Sequence, residues 1–366
     1  MALEAFQEVS PEIYRWIRDH IPIESGNYPY VTARVMAKRA SLLPADTYGR
    51  LLQMAVPEIA RFLGEREYKQ EMVALGAKYS GVDLIEMATA RNLATTYSQI
   101  YDFCEGHLKT IVARYLDRWD LQNIKTIVRA KAHGASTQEI EEDLVPAGSF
   151  SEAFLAGLVE AETLEEVFSD LRGTIYASAR DMLGKPPRRT ENWAAWEDLV
   201  SKLYYQDLLM SIPPSTDANR LLREFLQQEI DVVNLKTLLR VWAAKASFER
   251  EIFLPGGDET DPEDLADMVG LDHAELTKRL AEYSFYDEIA EDLARVQSTG
   301  VGVLIRKVEK AHLIRVGRYA HLHPLTIVPI LDYLIRKDRE VQNIRLIARG
   351  KESGLSTDAI RDLLVM

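Results

Sequence analysis

The chain has 366 residues, enough for two or three domains of ordinary size, each able to bury its own core. Its 57 acidic and 44 basic residues leave a formal charge of −13, which repels phosphate backbones and anionic headgroups and disfavours nucleic acid as a partner. The single cysteine, Cys104, excludes an internal disulfide, and no Cys/Cys or Cys/His spacing suits a structural zinc site.

The N-terminus opens Met1-Ala2-Leu3-Glu4-Ala5, with an acid where a secretory leader carries bases, so a cytosolic chain is expected. Its strongest apolar runs, such as 301–305, fall far short of the roughly 18 to 20 residues that span a bilayer. Gly and Pro together make up 33 residues, about 9%, below the usual share of about 12%. That scarcity of turn formers predicts an all-α protein.

In chain order, the breaks between predicted helices fall at 22–29, near Pro44, at 146–148, at 184–187, at 213–214 and at 254–258. Between them, apolar residues recur at three- and four-residue steps: through Leu121–Arg129, from about 220 to Val241, from Val303 to Leu313 and from Ile327 to Ala348. Strict alternation over five or more residues is rare, so no substantial sheet is expected.

One pattern occurs three times: acid-x-x-Asn-aliphatic-base-x-x-x-Arg, at Asp120–Arg129, Asp231–Arg240 and Glu340–Arg349. Each copy is followed by a serine, Ser136, Ser247 and Ser356. The asparagines Asn123, Asn234 and Asn343 are 111 and 109 residues apart. Upstream of each copy lies a second landmark, Glu58-Ile59 with Leu63 and Tyr68, Glu166-Val167 with Leu171 and Tyr176, and Glu275-Leu276 with Leu280 and Tyr286. Its glutamates repeat at 108 and 109 residues. Two landmarks sharing one period indicate a whole domain present three times, since solenoid units run only about 20 to 50 residues. The expected domains are 1–150, with an N-terminal extension, 151–257 and 258–366, superposable around a pseudo-threefold axis.

Within each copy the base and the final arginine stand four apart and share a helical face: Lys125 with Arg129, Lys236 with Arg240, Arg345 with Arg349. These six either line a common positive collar for an acidic partner or hold each domain together through pairs with carboxylates such as Glu58, Glu166 or Glu275. The asparagines sit among apolar neighbours, where an amide must find buried hydrogen-bond partners. The acids three residues before them suit helix starts, Asp120 and Asp231 better than Glu340.

No phosphate-cradling loop, His-Glu-x-x-His helix or Gly-x-Ser-x-Gly elbow is present. Gly300-Val301-Gly302 reads as a loop before a helix, and His321 and His323 diverge on a helix without a local third ligand. Acidic neighbours raise the Cys104 thiol and leave it inert. The acidic run 258–264 reads as a solvated junction, and the basic cluster 185–189 as an exposed loop. No cofactor, metal or catalytic residue is expected.

The chain resembles the C subunits of archaeal and bacterial A/V-type ATP synthases and ATPases, which are related to the d subunit of the eukaryotic V-ATPase. The resemblance is carried by Tyr30–Val35 with Leu42-Leu43, by Trp119–Lys131, by Leu171–Tyr176 and by Glu340–Lys351, in that order along the chain. It departs before Tyr28 and at 185–189. It implies a funnel-shaped, all-helical body of three similar domains, a non-catalytic rotor component at the cytoplasmic face of the membrane. Its implied partners are the central-axle subunits and the membrane rotor ring. A helical metal-dependent enzyme, built on His321, His323 and the acidic junction, and a free-standing helical scaffold are the competing readings.

Overall fold

The computed structural model describes residues 26–177, 193–245, 248 and 250–365. The basic cluster at 185–189, Ser247 and most of the extension before Tyr28 lie outside the described residues. Among the described residues every regular element is helical, and no helix is long and apolar enough to cross a membrane.

After α1 (Tyr28–Arg39) come three short helices, α2 (Ala45–Leu51), α3 (Val56–Gly64) and α4 (Lys69–Leu75), and the long α5 (Gly81–Phe103). The chain then turns into α6 (Gly106–Leu116) and α7 (Arg118–His133), which are separated only by the helical residue Asp117. The order then repeats. Short helices α8 (Thr137–Asp143), α9 (Glu152–Glu160) and α10 (Leu164–Asp170) precede the long pair α11 (Trp193–Ser211) and α12 (Asp217–Ala244). A 3-10 turn (Arg250–Ile252) leads to α13 (Pro262–Met268), α14 (His273–Leu280), α15 (Tyr286–Ala294) and α16 (Val296–Thr299). A third long pair, α17 (Val301–Leu322) and α18 (Val328–Glu352), is followed by α19 (Thr357–Leu363). The prolines at 213–214 fall in the turn between α11 and α12, where no helical amide is needed.

Each recurring block lies in the second long helix of its pair, and the three asparagines do the same work there. Asn123 donates to the carbonyl of Val145 and accepts from its amide, at 2.8 and 2.9 Å. Asn234 does so with Leu254, at 2.8 and 2.7 Å, and Asn343 with Val365, at 2.8 and 3.2 Å. An amide presents one donor and one acceptor side by side, which matches the N–H and C=O of one extended residue. All three asparagines are buried, as expected of amides among apolar neighbours.

Asp120 lies in the first turn of α7, whereas Asp231 and Glu340 lie well inside their helices, and each of the three receives the amides of a loop. Asp120 accepts from Ser149 and Phe150, at 2.8 and 3.1 Å. Asp231 accepts from the amides of Asp258, Glu259 and Thr260 and from the Thr260 hydroxyl. The acidic run at 258–264 is therefore an ordered cap, with Asp261 heading α13. Glu340 accepts from the amide of Leu43 and, at 2.6 Å, from the hydroxyl of Tyr68. A Cβ on Gly148 would stand 2.1 Å from the Asp120 carboxylate, and one on Gly257 2.2 Å from that of Asp231. Glycine brings the loop close enough for an aspartate in two copies. In the third, no glycine lies in 39–43, and the longer glutamate spans the gap. Burial pushes the Asp120 carboxyl up to about 7 against the pull of its two amide donors.

The blocks also reach forward along the chain. Lys131 donates to the carbonyls of Val159 and Ala161 at the end of α9, Trp242 to that of Leu271 after α13, and Lys351 to that of Leu52 after α2. Arg129 pairs with Glu197 on α11, Lys236 with Glu309 on α17, and Arg349 with Glu86 on α5. The first block is thus fastened to the helices that follow it, the second to the next set, and the third to the first set. α18 accordingly packs extensively on α5, α17 and α1. One apolar core runs through most of the body, and a second gathers the C-terminal half of α12 with α13 to α17.

Gly134 and Gly354 close α7 and α18 with positive φ. At the matched position Lys245 takes φ 48°, the one non-glycine residue with positive φ among the described residues. An L side chain there costs roughly 1–2 kcal/mol, so Lys245→Gly is expected to stabilise the protein by about 1 kcal/mol in urea unfolding. Asn234→Ala strands the N–H and C=O of Leu254, and at about 1–3 kcal/mol for each orphaned group it is expected to destabilise by about 2–5 kcal/mol.

Candidate partner-binding cavity

The second long helices face a common cavity of about 600 Å³. Its wall is layered by the repeat. Arg118, Glu229 and Asp338 line it at one matched position, Gln122, Val233 and Gln342 at the next, and Lys125, Lys236 and Arg345 at the third. Within each layer the spacings are 111 and 109 residues, those of the asparagines. About one turn before the first layer, Tyr115, Phe225 and Leu334 are all buried. Beyond the third layer, Arg129, Arg240 and Arg349 are exposed and do not line the cavity.

The first layer carries the strongest interaction. Arg118 forms a forked pair with Glu229, Nη1 to Oε1 at 2.8 Å and Nη2 to Oε2 at 2.9 Å. Its Nε donates to the Tyr115 carbonyl at 3.1 Å, and the guanidinium lies 3.6 Å from the Tyr115 ring centre. Burial raises the Glu229 carboxyl, but the charge and hydrogen bonds of Arg118 outweigh it and hold the group below the usual carboxylate range. Burial lowers the neighbouring His312 and favours its neutral form. Sequence reasoning overlooked Arg118 and Glu229 because they fall two residues before the recurring block. Their signal was positional: they occupy matched sites with opposite charges.

In the third layer Lys125 donates to the Ser201 hydroxyl at 2.6 Å, and burial lowers its ammonium against the opposing effect of Glu197 and Asp198. Lys236 pairs with Glu309, which also holds Arg339 at 3.2 Å. Burial raises the Glu309 carboxyl, but Lys236 and Arg339 prevail and hold it low. Among the described residues no carboxylate lies within ion-pair distance of Arg345 or Arg240. Arg129 is bidentate to Glu197. The glutamates of the upstream landmark are engaged elsewhere: Glu58 accepts from the amide of Ala55, Glu166 from that of Glu162, and Glu275 sits in the first turn of α14.

His321 lies in the last turn of α17, and the His323 ring packs edge-on against Tyr319, with centroids 4.7 Å apart. Among the described residues no three His, Cys, Asp or Glu side chains form a group able to hold a metal ion. Cys104 is buried, and burial pushes its thiol up to about 12; nearby acids are not the cause, and Lys109 pulls the other way.

The family model described as "ATP synthase (C/AC39) subunit" matches residues 31–363. The chain belongs to that family. It is 35% identical to the C subunit of the A-type ATP synthase of Methanococcoides burtonii, over 93% of this chain and 95% of the relative. It is 37% identical to that of Methanosarcina acetivorans, over 93% and 94%, and 35% identical to that of Haloferax volcanii, over 93% and 98%. Members of this family are non-catalytic stalk components, so the chain is not itself an enzyme.

Arg118→Ala leaves Glu229 charged and enclosed, so it is expected to cost about 3–5 kcal/mol in chemical denaturation. Alanine at Arg129 or Arg349, whose side chains are more than half exposed, is expected to cost no more than about 1 kcal/mol.

Proposed function

We propose that this protein is the socket of an A-type ATP synthase: it receives the foot of the central axle in its cavity and passes torque to the membrane rotor ring, coupling ATP synthesis to ion transport. In this reading the chain comprises three copies of one helical domain, 1–150, 151–257 and 258–366, set around a pseudo-threefold axis through the cavity. It acts as a peripheral component on the cytoplasmic face. The observation that carries the proposal is the layering of the wall. Matched positions of three sequence repeats line one water-accessible cavity, a geometry that suits three similar wedges gripping one inserted shaft. Lys125, Lys236 and Arg345 are then the wall residues that meet the axle. Arg129, Arg240 and Arg349 act outside it.

The test is copurification of the tagged chain with the membrane ATP synthase, repeated with the cavity filled. Thr126→Trp with Thr237→Trp puts two indoles into the cavity from adjacent walls. Capture of the axle subunits is expected to fall at least tenfold, with the chain still folded and still recovered with the rotor ring. Undiminished capture of the axle by the filled cavity would overturn the socket.

A further inference from the structure

The three matched positions of the first layer of the cavity are occupied by one base and two acids. Arg118 is committed to Glu229 by both arms of its fork, at 2.8 and 2.9 Å. Asp338, the third member of the layer, accepts a hydrogen bond from Gln342 at 2.9 Å, and among the described residues no cation lies within ion-pair distance of it. The layer therefore carries one surplus negative charge. Seven residues further along α18, on the same wall, stands Arg345, which has no ion-pair partner among the described residues. At 1.5 Å per residue the two unmatched charges are about 10 Å apart along the helix. The other wall bases of the third layer are already engaged, Lys236 by Glu309 and Lys125 by Ser201.

We infer that the cavity selects its occupant by charge order: a cationic side chain at the inserted tip meets Asp338, and a carboxylate about two turns behind it meets Arg345. This deepens the socket reading and rests on it. The groups facing Asp338 are Arg118 from α7, Glu229 from α12, Tyr97 from α5, and Arg339, Gln342 and Arg345 from its own helix. Burial raises its carboxyl against the pull of the arginines, Arg339 foremost. A lysine or arginine brought in by the partner pairs with this half-buried carboxylate as the interface closes over it. A partner with the opposite order sets its acidic tip against Asp338 and Glu229 and is rejected.

The experiment titrates the whole chain with the organism's own purified central-axle subunits, using wild type, Asp338→Asn and Arg345→Gln, and melts each free protein. Asp338→Asn keeps an acceptor for Gln342 while removing the charge. It is expected to weaken axle binding about tenfold or more, as close charge pairs at interfaces do, while the free chain melts at the same temperature or higher. Arg345→Gln, at a half-buried site without an ion pair, is expected to weaken binding independently of folding. Wild-type affinity in both variants overturns the charge-order inference and leaves the socket standing. A lowered melting temperature for Asp338→Asn, in step with its lost affinity, also overturns it, since the carboxylate then serves the fold. If the wild-type chain itself does not bind the axle subunits, the socket reading fails first.

Discussion

The body depends on a single device: an acid and an asparagine, three residues apart inside a long helix, that take hold of loop backbone. The asparagine fixes one extended residue through both its N–H and its C=O. The acid draws together the amides of the loop leading to the next short helices. These are obligatory polar groups in buried surroundings, so the geometry is set more sharply than apolar contact alone would set it. Glu340 shows how strict the demand is. Where the chain lacks the glycine that lets a loop approach an aspartate, the acid is one methylene longer and reaches Leu43 and Tyr68 instead.

Because every block fastens forward, and the last to the helices of the first set, the described helices are tied into one closed circuit. Lys351 on the carbonyl of Leu52 repeats what Lys131 does to α9, and Trp242 supplies the same donor with a different side chain. The cost of closing a circuit across some 300 residues grows only slowly with loop length, whereas each fastening removes a hinge. A linear row of three units would flex at two junctions; here no junction lacks a cross-link.

The helices, the repeat and the buried asparagines were legible in the sequence because each leaves a periodic or spaced mark. Asp120 does lie in the first turn of its helix, and the third helix runs on upstream of Glu340 as expected, but Asp231 was misplaced as a helix start, since an aspartate ahead of an apolar run looks the same whether it heads the helix or reaches sideways from within it. The partners of the arginines were also misread. Glu86 and Glu197 lie on long helices with nothing local to distinguish them, while Glu58 and Glu166 satisfy amides at the starts of their own helices. Arg118 and Glu229 escaped for a different reason. Repeats are recognised by identity, and these two matter because they differ.

That difference illustrates a general constraint on triplicated proteins. Where three matched positions line one cavity, identical charges would crowd together, and neither three arginines nor three carboxylates can be gathered there without a large electrostatic penalty. The matched positions must therefore turn neutral, as at Gln122, Val233 and Gln342, or diverge in sign, as at Arg118, Glu229 and Asp338. Where like charges are retained, at Lys125, Lys236 and Arg345, carboxylates or hydroxyls outside the axis absorb the first two. Divergence at these positions makes the walls of the cavity chemically distinct, so in the proposed socket an inserted shaft has one preferred rotational setting. In that proposed coupling, a single setting resists slippage in a way a uniform wall cannot.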